Sequence, residues 1–156
     1  MRRLSSLAVL AVGLVVVTGC NSGPKLVPVK GRVTLDGKPV QEMLINFQPV
    51  GNTAGTGAHA MTDTDGWFTL SDMRGGTGAH VGEYKVSFYP PLGRKKEGDP
   101  SIDVVTDGSK SGLPRIYLDA DKSPLRATIP EGGGTAEVIL TASGKDTAVK
   151  FQPRGK

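Results

Sequence analysis

Val29-Lys30-Gly31-Arg32-Val33-Thr34-Leu35-Asp36-Gly37-Lys38-Pro39 carries the pattern that decides the fold. Val29, Gly31, Val33 and Leu35 alternate with Lys30, Arg32, Thr34 and Asp36. A period of two with one polar side belongs to a strand buried on one face. Asp36-Gly37 supplies two residues that tolerate left-handed backbone, so a tight turn follows the strand.

The same grammar repeats along the chain. Met43, Ile45 and Phe47 form an apolar face that ends at Pro49. Ala60-Met61-Thr62 and Trp67-Phe68-Thr69-Leu70 flank Asp63-Thr64-Asp65-Gly66, which reads as a second hairpin signal. Tyr84, Val86 and Phe88 alternate up to Pro90-Pro91, where the missing N–H groups stop pairing. Leu125, Ala127 and Ile129, then Ala136 to Leu140, and Val149 to Phe151 complete the set, with Glu131 to Gly134 as a turn. Residues 50–58, 72–82 and 90–115 read as loops, the last long and carrying Arg94-Lys95-Lys96. No stretch after residue 20 shows a helical period. Gly and Pro together supply 31 of residues 20–156, which short strands joined by many turns accommodate. The fold class expected is all-β: six or seven short antiparallel strands in a β-sandwich.

The N-terminus decides location. Arg2 and Arg3 precede an apolar run from Leu7 to Val17, and Val17-Thr18-Gly19-Cys20 follows. The run is 11 residues, well short of the roughly 20 that span a bilayer. A basic start, a short apolar region and a small-residue cut site make a signal peptide over residues 1–19. Cys20 is the only cysteine. Its place after Gly19 resembles a bacterial lipobox, in which the thiol is lipidated and heads the mature protein. Several acyl chains give stable anchoring where one is marginal. Residues 20–27 then form a lipidated tether and residues 28–156 the domain. Arg2-Arg3 lacks the rest of a twin-arginine motif, so Sec export is expected. Asn21 stands where an Asp would retain an enterobacterial lipoprotein in the inner membrane, which slightly favours the outer one.

Cleavage removes two arginines and no acid, so the formal charge falls from +4 to +2 and nothing points to nucleic acid. With Cys20 lipidated, no disulfide, thiolate metal site or thiol nucleophile remains.

The opening Val29–Pro39 segment resembles the first hairpin of transthyretin-like, carboxypeptidase-regulatory-like domains. Thr62-Asp-Thr-Asp-Gly-Trp-Phe-Thr-Leu70, where an Asp-Gly turn precedes an aromatic-bearing strand, resembles that family too, and Gly82-Glu-Tyr-Lys-Val86 is similar to its penultimate core strand. Leu113-Pro-Arg-Ile-Tyr117, Lys122-Ser-Pro-Leu125 and Ile129-Pro-Glu-Gly132 are similar to small planctomycete-type envelope lipoproteins carrying such a domain. The resemblance covers residues 28–141. It implies a seven-stranded Greek-key β-sandwich, Ig-like in outline, at the cell envelope, and no catalytic residues.

Candidate chemistry is sparse. An EF-hand alignment of Asp63-Thr-Asp-Gly66 places Met61 at the first ligand position, which cannot supply a hard oxygen. His59 and His80 are 21 residues apart, each in a Gly/Ala-rich stretch, and read as solvated loop histidines. The chain ends Phe151-Gln-Pro-Arg-Gly-Lys156, without the terminal tetrapeptide of hydroxyisourate hydrolases, and no Gly-x-Ser-x-Gly elbow occurs. The expectation is a non-enzyme without cofactor or metal, a membrane-anchored structural or interaction module whose partners are the membrane through Cys20 and an envelope protein or glycan. Trp67 and Phe68 are adjacent on one strand, so one faces outward. An outward Trp67 would be the candidate platform for a sugar or other small ligand.

Overall fold

The computed structural model describes residues 24–90 and 112–153. Among them are twelve strands and one helical turn. The strands are β1 (Leu26–Val27), β2 (Val29–Leu35), β3 (Lys38–Pro39), β4 (Leu44–Pro49), β5 (Ala58–Met61), β6 (Trp67–Thr69), β7 (Ser71–Asp72), β8 (Ala79–His80), β9 (Gly82–Tyr89), β10 (Arg126–Ile129), β11 (Gly134–Leu140) and β12 (Ala148–Pro153). The helical turn α1 is Arg115–Leu118. The all-β expectation holds.

One sheet runs β12-β11-β2-β3, with β6 also pairing β2. A second runs β10-β9-β4-β5-β7, and β1 pairs β8 separately. The alternation read in β2 is realised: Val29, Gly31 and Val33 are buried, whereas Lys30 and Arg32 are exposed. Val29, Val33, Ala136, Val138 and Leu140 meet Ile45, Phe47, Val86 and Phe88 of the second sheet in one core. Phe47 of β4 and Phe68 of β6 approach with ring centroids 6.3 Å apart, and Phe47 and Tyr84 with centroids 6.0 Å apart.

Three features depart from the expected antiparallel arrangement. β2 and β11 are parallel over seven pairs, Gly134↔Val29 to Leu140↔Leu35. The turn at Asp63–Gly66 forms, but it does not close a hairpin: β5 pairs β4 and β7, while β6 pairs β2. The chain changes sheets there because β2 offers β6 a free ladder edge beyond the two pairs it makes with β3. Two of the expected loops also contain ladder residues: Asp72 of β7, the whole of β8 and Gly82 of β9 within 72–82, and the start of β5 at Ala58.

Asp36 and Gly37 both have positive φ, 48° and 80°, as the mirror-image hairpin turn requires. The Asp36 carboxylate also accepts the Ala142 N–H at 3.3 Å, tying the first turn to the end of β11. The 90–115 loop lies outside the described residues over 91–111; beyond it, Leu113 is buried and α1 begins at Arg115. Tyr117 of α1 is fully buried, and its hydroxyl donates to Thr141 O (2.8 Å) and accepts from Thr141 N (3.1 Å). On the far edge, Ser123 Oγ donates to Val86 O at 2.5 Å.

Gly31 is the tightest point of the core. A Cβ there would run into the Phe68 ring and lie 2.7 Å from Ala136 O. Backbone cannot yield as a flexible side chain can, so Gly31→Ala should lower stability by about 1–3 kcal/mol through overpacking. Urea denaturation measures this; an unchanged midpoint would contradict the close approach of β6 and β11 to β2.

Candidate functional site

The outward face of the first sheet is laid out by register. Trp67, Arg32, Glu137 and Lys150 form one cross-strand row over β6, β2, β11 and β12. Thr69, Lys30, Thr135 and Gln152 form the next. Of the two adjacent aromatics, Phe68 turns inward at 4% exposure and Trp67 outward at 44%.

The Asp63–Gly66 turn fixes where the indole stands. Asp63 Oδ1 accepts the backbone N–H groups of Asp65 (2.9 Å) and Trp67 (2.8 Å), a side chain mimicking a backbone turn. Gly66 takes φ +77°, which an L side chain resists. Arg32 then locks both partners: its Nε donates to Asp65 O at 2.9 Å, and its guanidinium carbon lies 5.8 Å from the Trp67 ring centroid. That separation is within cation–π range.

Two depressions flank the indole. One of about 550 Å³ is lined by Lys30, Met61, Asp63, Trp67, Phe68 and Thr69. The other, about 290 Å³, takes in Arg32, Thr34, Trp67, Glu137 and Gln152. The face thus combines a fixed aromatic plane with hydroxyls, an amide, two carboxylates and three cations. It can stack on an apolar ring face and exchange hydrogen bonds around it.

The histidines do not sit as expected. His59 lies on β5, facing outward from the second sheet, where a depression of about 430 Å³ is lined by Leu44, Asn46, His59, Met73 and Tyr89. His80 lies on β8 and is buried, which corrects the solvated-loop expectation. Its Nε2 is 3.7 Å from Asp72 Oδ2, itself buried on β7. The β1–β8 ladder brings the ring inside, and Gly55 leaves room for it, since a Cβ there would collide with the imidazole. None of these three depressions unites the two histidines. Nor do described residues include a group of three or more His, Cys, Asp or Glu arranged to hold a metal.

The Asp72–His80 pair escaped the sequence reading because nothing local marks a Gly-rich segment as buried. The Lys30–Arg32 side of the site was visible in the alternation of β2. The lipidation candidate Cys20 and the cleavage motif Val17, Thr18 and Gly19 lie outside the described residues. No protein-family model, curated protein or solved structure matches the chain.

Tyr84 adds a pH dependence. It is 1% exposed, and its hydroxyl donates to His80 O at 2.7 Å. Burial, reinforced by the Asp72 carboxylate, pushes its pKa from 10.0 up to about 12. The fold therefore favours the neutral phenol. That stabilisation is complete below pH 10.0, the unfolded value, and is lost as pH rises through about 12. Unfolding free energy should fall across this window, and Tyr84→Phe should flatten the fall while costing about 1 kcal/mol at neutral pH for the lost hydrogen bond. An equally steep alkaline limb in the variant would exclude Tyr84 as its source.

As the single tryptophan, Trp67 reports its own environment. Its fluorescence should be that of a solvated indole, readily quenched by acrylamide. Blue-shifted, quencher-resistant emission would contradict the outward placement.

Proposed function

We propose that this chain is a cell-envelope lipoprotein, held in the membrane through Cys20, whose β-domain is a non-catalytic interaction module. The lipid fixes location, the two sheets form a rigid support, and the Trp67 face makes contact. The observation that carries the module reading is that face: an indole fixed by its turn and by Arg32, yet 44% exposed on the flat of a sheet. A large aromatic held rigid and left in water is a common feature of recognition surfaces, where it offers contact area at little entropic cost.

The finer fold assignment belongs to the same proposal. A transthyretin-like, carboxypeptidase-regulatory-like Greek-key β-sandwich is supported by the Asp36-Gly37 hairpin and by two sheets sharing one core. Setting aside the two-residue pieces leaves eight strands rather than the family's seven. Placement in the envelope, with the outer membrane slightly favoured, rests on the Val17-Thr18-Gly19-Cys20 motif and Asn21.

A second reading names the ligand class: a carbohydrate or other small ligand bound by Trp67 and its neighbours. The depressions on both sides of the ring favour it, because a sugar stacked on the indole needs room for its substituents on either side.

Expression of the full chain and of Cys20→Ala in a bacterial host tests the anchor. The unaltered protein should sediment with membranes and carry the mass of a lipidated cysteine, and the variant should do neither. If both are cleaved and stay soluble, the lipoprotein reading fails and a secreted binding protein takes its place.

A further inference from the structure

We infer that the Trp67 face binds an acidic polysaccharide, a chain of sugar rings bearing carboxylates, laid across the strands from β6 to β12. This rests on the carbohydrate reading of the same face and adds the ligand's charge and direction.

The first observation is a set of cations without an acidic partner among the described residues. Ion pairs among the described residues join His80 to Asp72, Lys85 to Asp121 and Lys122 to Asp119. Lys30, Arg32 and Lys150, all exposed on this face, are in none of them. Glu137 stands in register between Arg32 and Lys150 and pairs with neither. Arg32 instead turns to the indole and to Asp65 O through Nε. Its terminal nitrogens bond to no described residue and can meet a carboxylate in the bidentate manner that guanidinium favours.

The second observation is the line of the site. β6, β2, β11 and β12 are successive neighbours, so the row from Trp67 to Lys150 spans roughly 14 Å at the usual strand spacing. That length suits a short run of an extended polymer. Thr69, Thr135 and Gln152 of the adjacent row present hydroxyls and an amide suited to sugar hydroxyls.

The carboxylates decide between polyanions. Asp63 and Glu137 lie among the cations and line the depressions. A DNA strand, whose backbone carries no hydroxyl donors, would leave these acceptors facing its own phosphates. On a glycan they serve as acceptors for hydroxyl groups, while Lys30, Arg32 and Lys150 take the carboxylates between them. A ring with an apolar C–H face also fits a lone indole.

The test is a Trp67 fluorescence titration of the folded domain with oligogalacturonate and oligomannuronate. A neutral gluco-oligosaccharide of matched length and a single-stranded oligonucleotide serve as comparisons. The inference expects saturable binding of at least one uronate chain, weakened by added salt and several-fold tighter than the neutral sugar. Lys30→Ala and Lys150→Ala, both at exposed positions that leave the core intact, should each weaken it several-fold. Equal binding of the neutral chain would overturn the charge assignment and leave the carbohydrate reading standing. Binding of neither uronate nor neutral chain would end both. Preference for the oligonucleotide would overturn the inference in favour of a phosphate polymer.

Discussion

Everything in this domain leans on the seven residues of β2. The strand is paired on both sides, in parallel with β11 along its whole length and antiparallel with β6 and then β3 on the other edge. Its even alternation means that one register satisfies both faces. Val29 and Val33 are fully buried while Lys30 and Arg32 stand in solvent. A slip of one residue would exchange them, placing two cations in the core and two valines in water. Gly31 adds a second restriction, because the space a side chain would fill is occupied by the Phe68 ring. Core and contact face are therefore set by one strand, and neither can be altered there without the other.

This coupling explains why the exposed indole is so well fixed. Phe68 is drawn inward to fill the void over Gly31, and the pleat then obliges Trp67 to point out. The turn before it is secured through Asp63 Oδ1, and Val33 N donates to Gly66 O at 2.9 Å, so β2 also holds the turn from beneath. Trp67 is thus presented by backbone geometry, and the Arg32 guanidinium then holds the indole itself.

What the sequence disclosed and what it hid divide by range. β2 and its turn were legible because alternation and Asp36-Gly37 are local signals, and Pro49 and Pro90 marked the ends of β4 and β9 for the same reason. The parallel pairing of β2 with β11 was not legible, since it joins segments about a hundred residues apart, a distance spanned by the hydrogen bond of Ala142 N to Asp36. The turn at Asp63–Gly66 was correctly placed, yet its function as a passage between sheets depends on a free edge elsewhere. His80 shows the same limit: its burial follows from pairing with Leu26 and from the gap at Gly55, neither of which leaves a mark near residue 80. On the candidate site, Trp67 and the Lys30–Arg32 side were readable, whereas Thr135, Glu137, Lys150 and Gln152 joined it only through register.

Native-state hydrogen exchange followed residue by residue tests the primacy of β2 most directly. If β2 holds both the core and the contact face, the ladder amides it shares with β11 exchange only through global unfolding, at the slowest rates in the domain, while the short β1, β3 and β7 exchange by local opening. If the β2 amides instead exchange as fast as those edge pieces, with the slowest amides confined to β4 and β9, then the second sheet is the support and β2 is not.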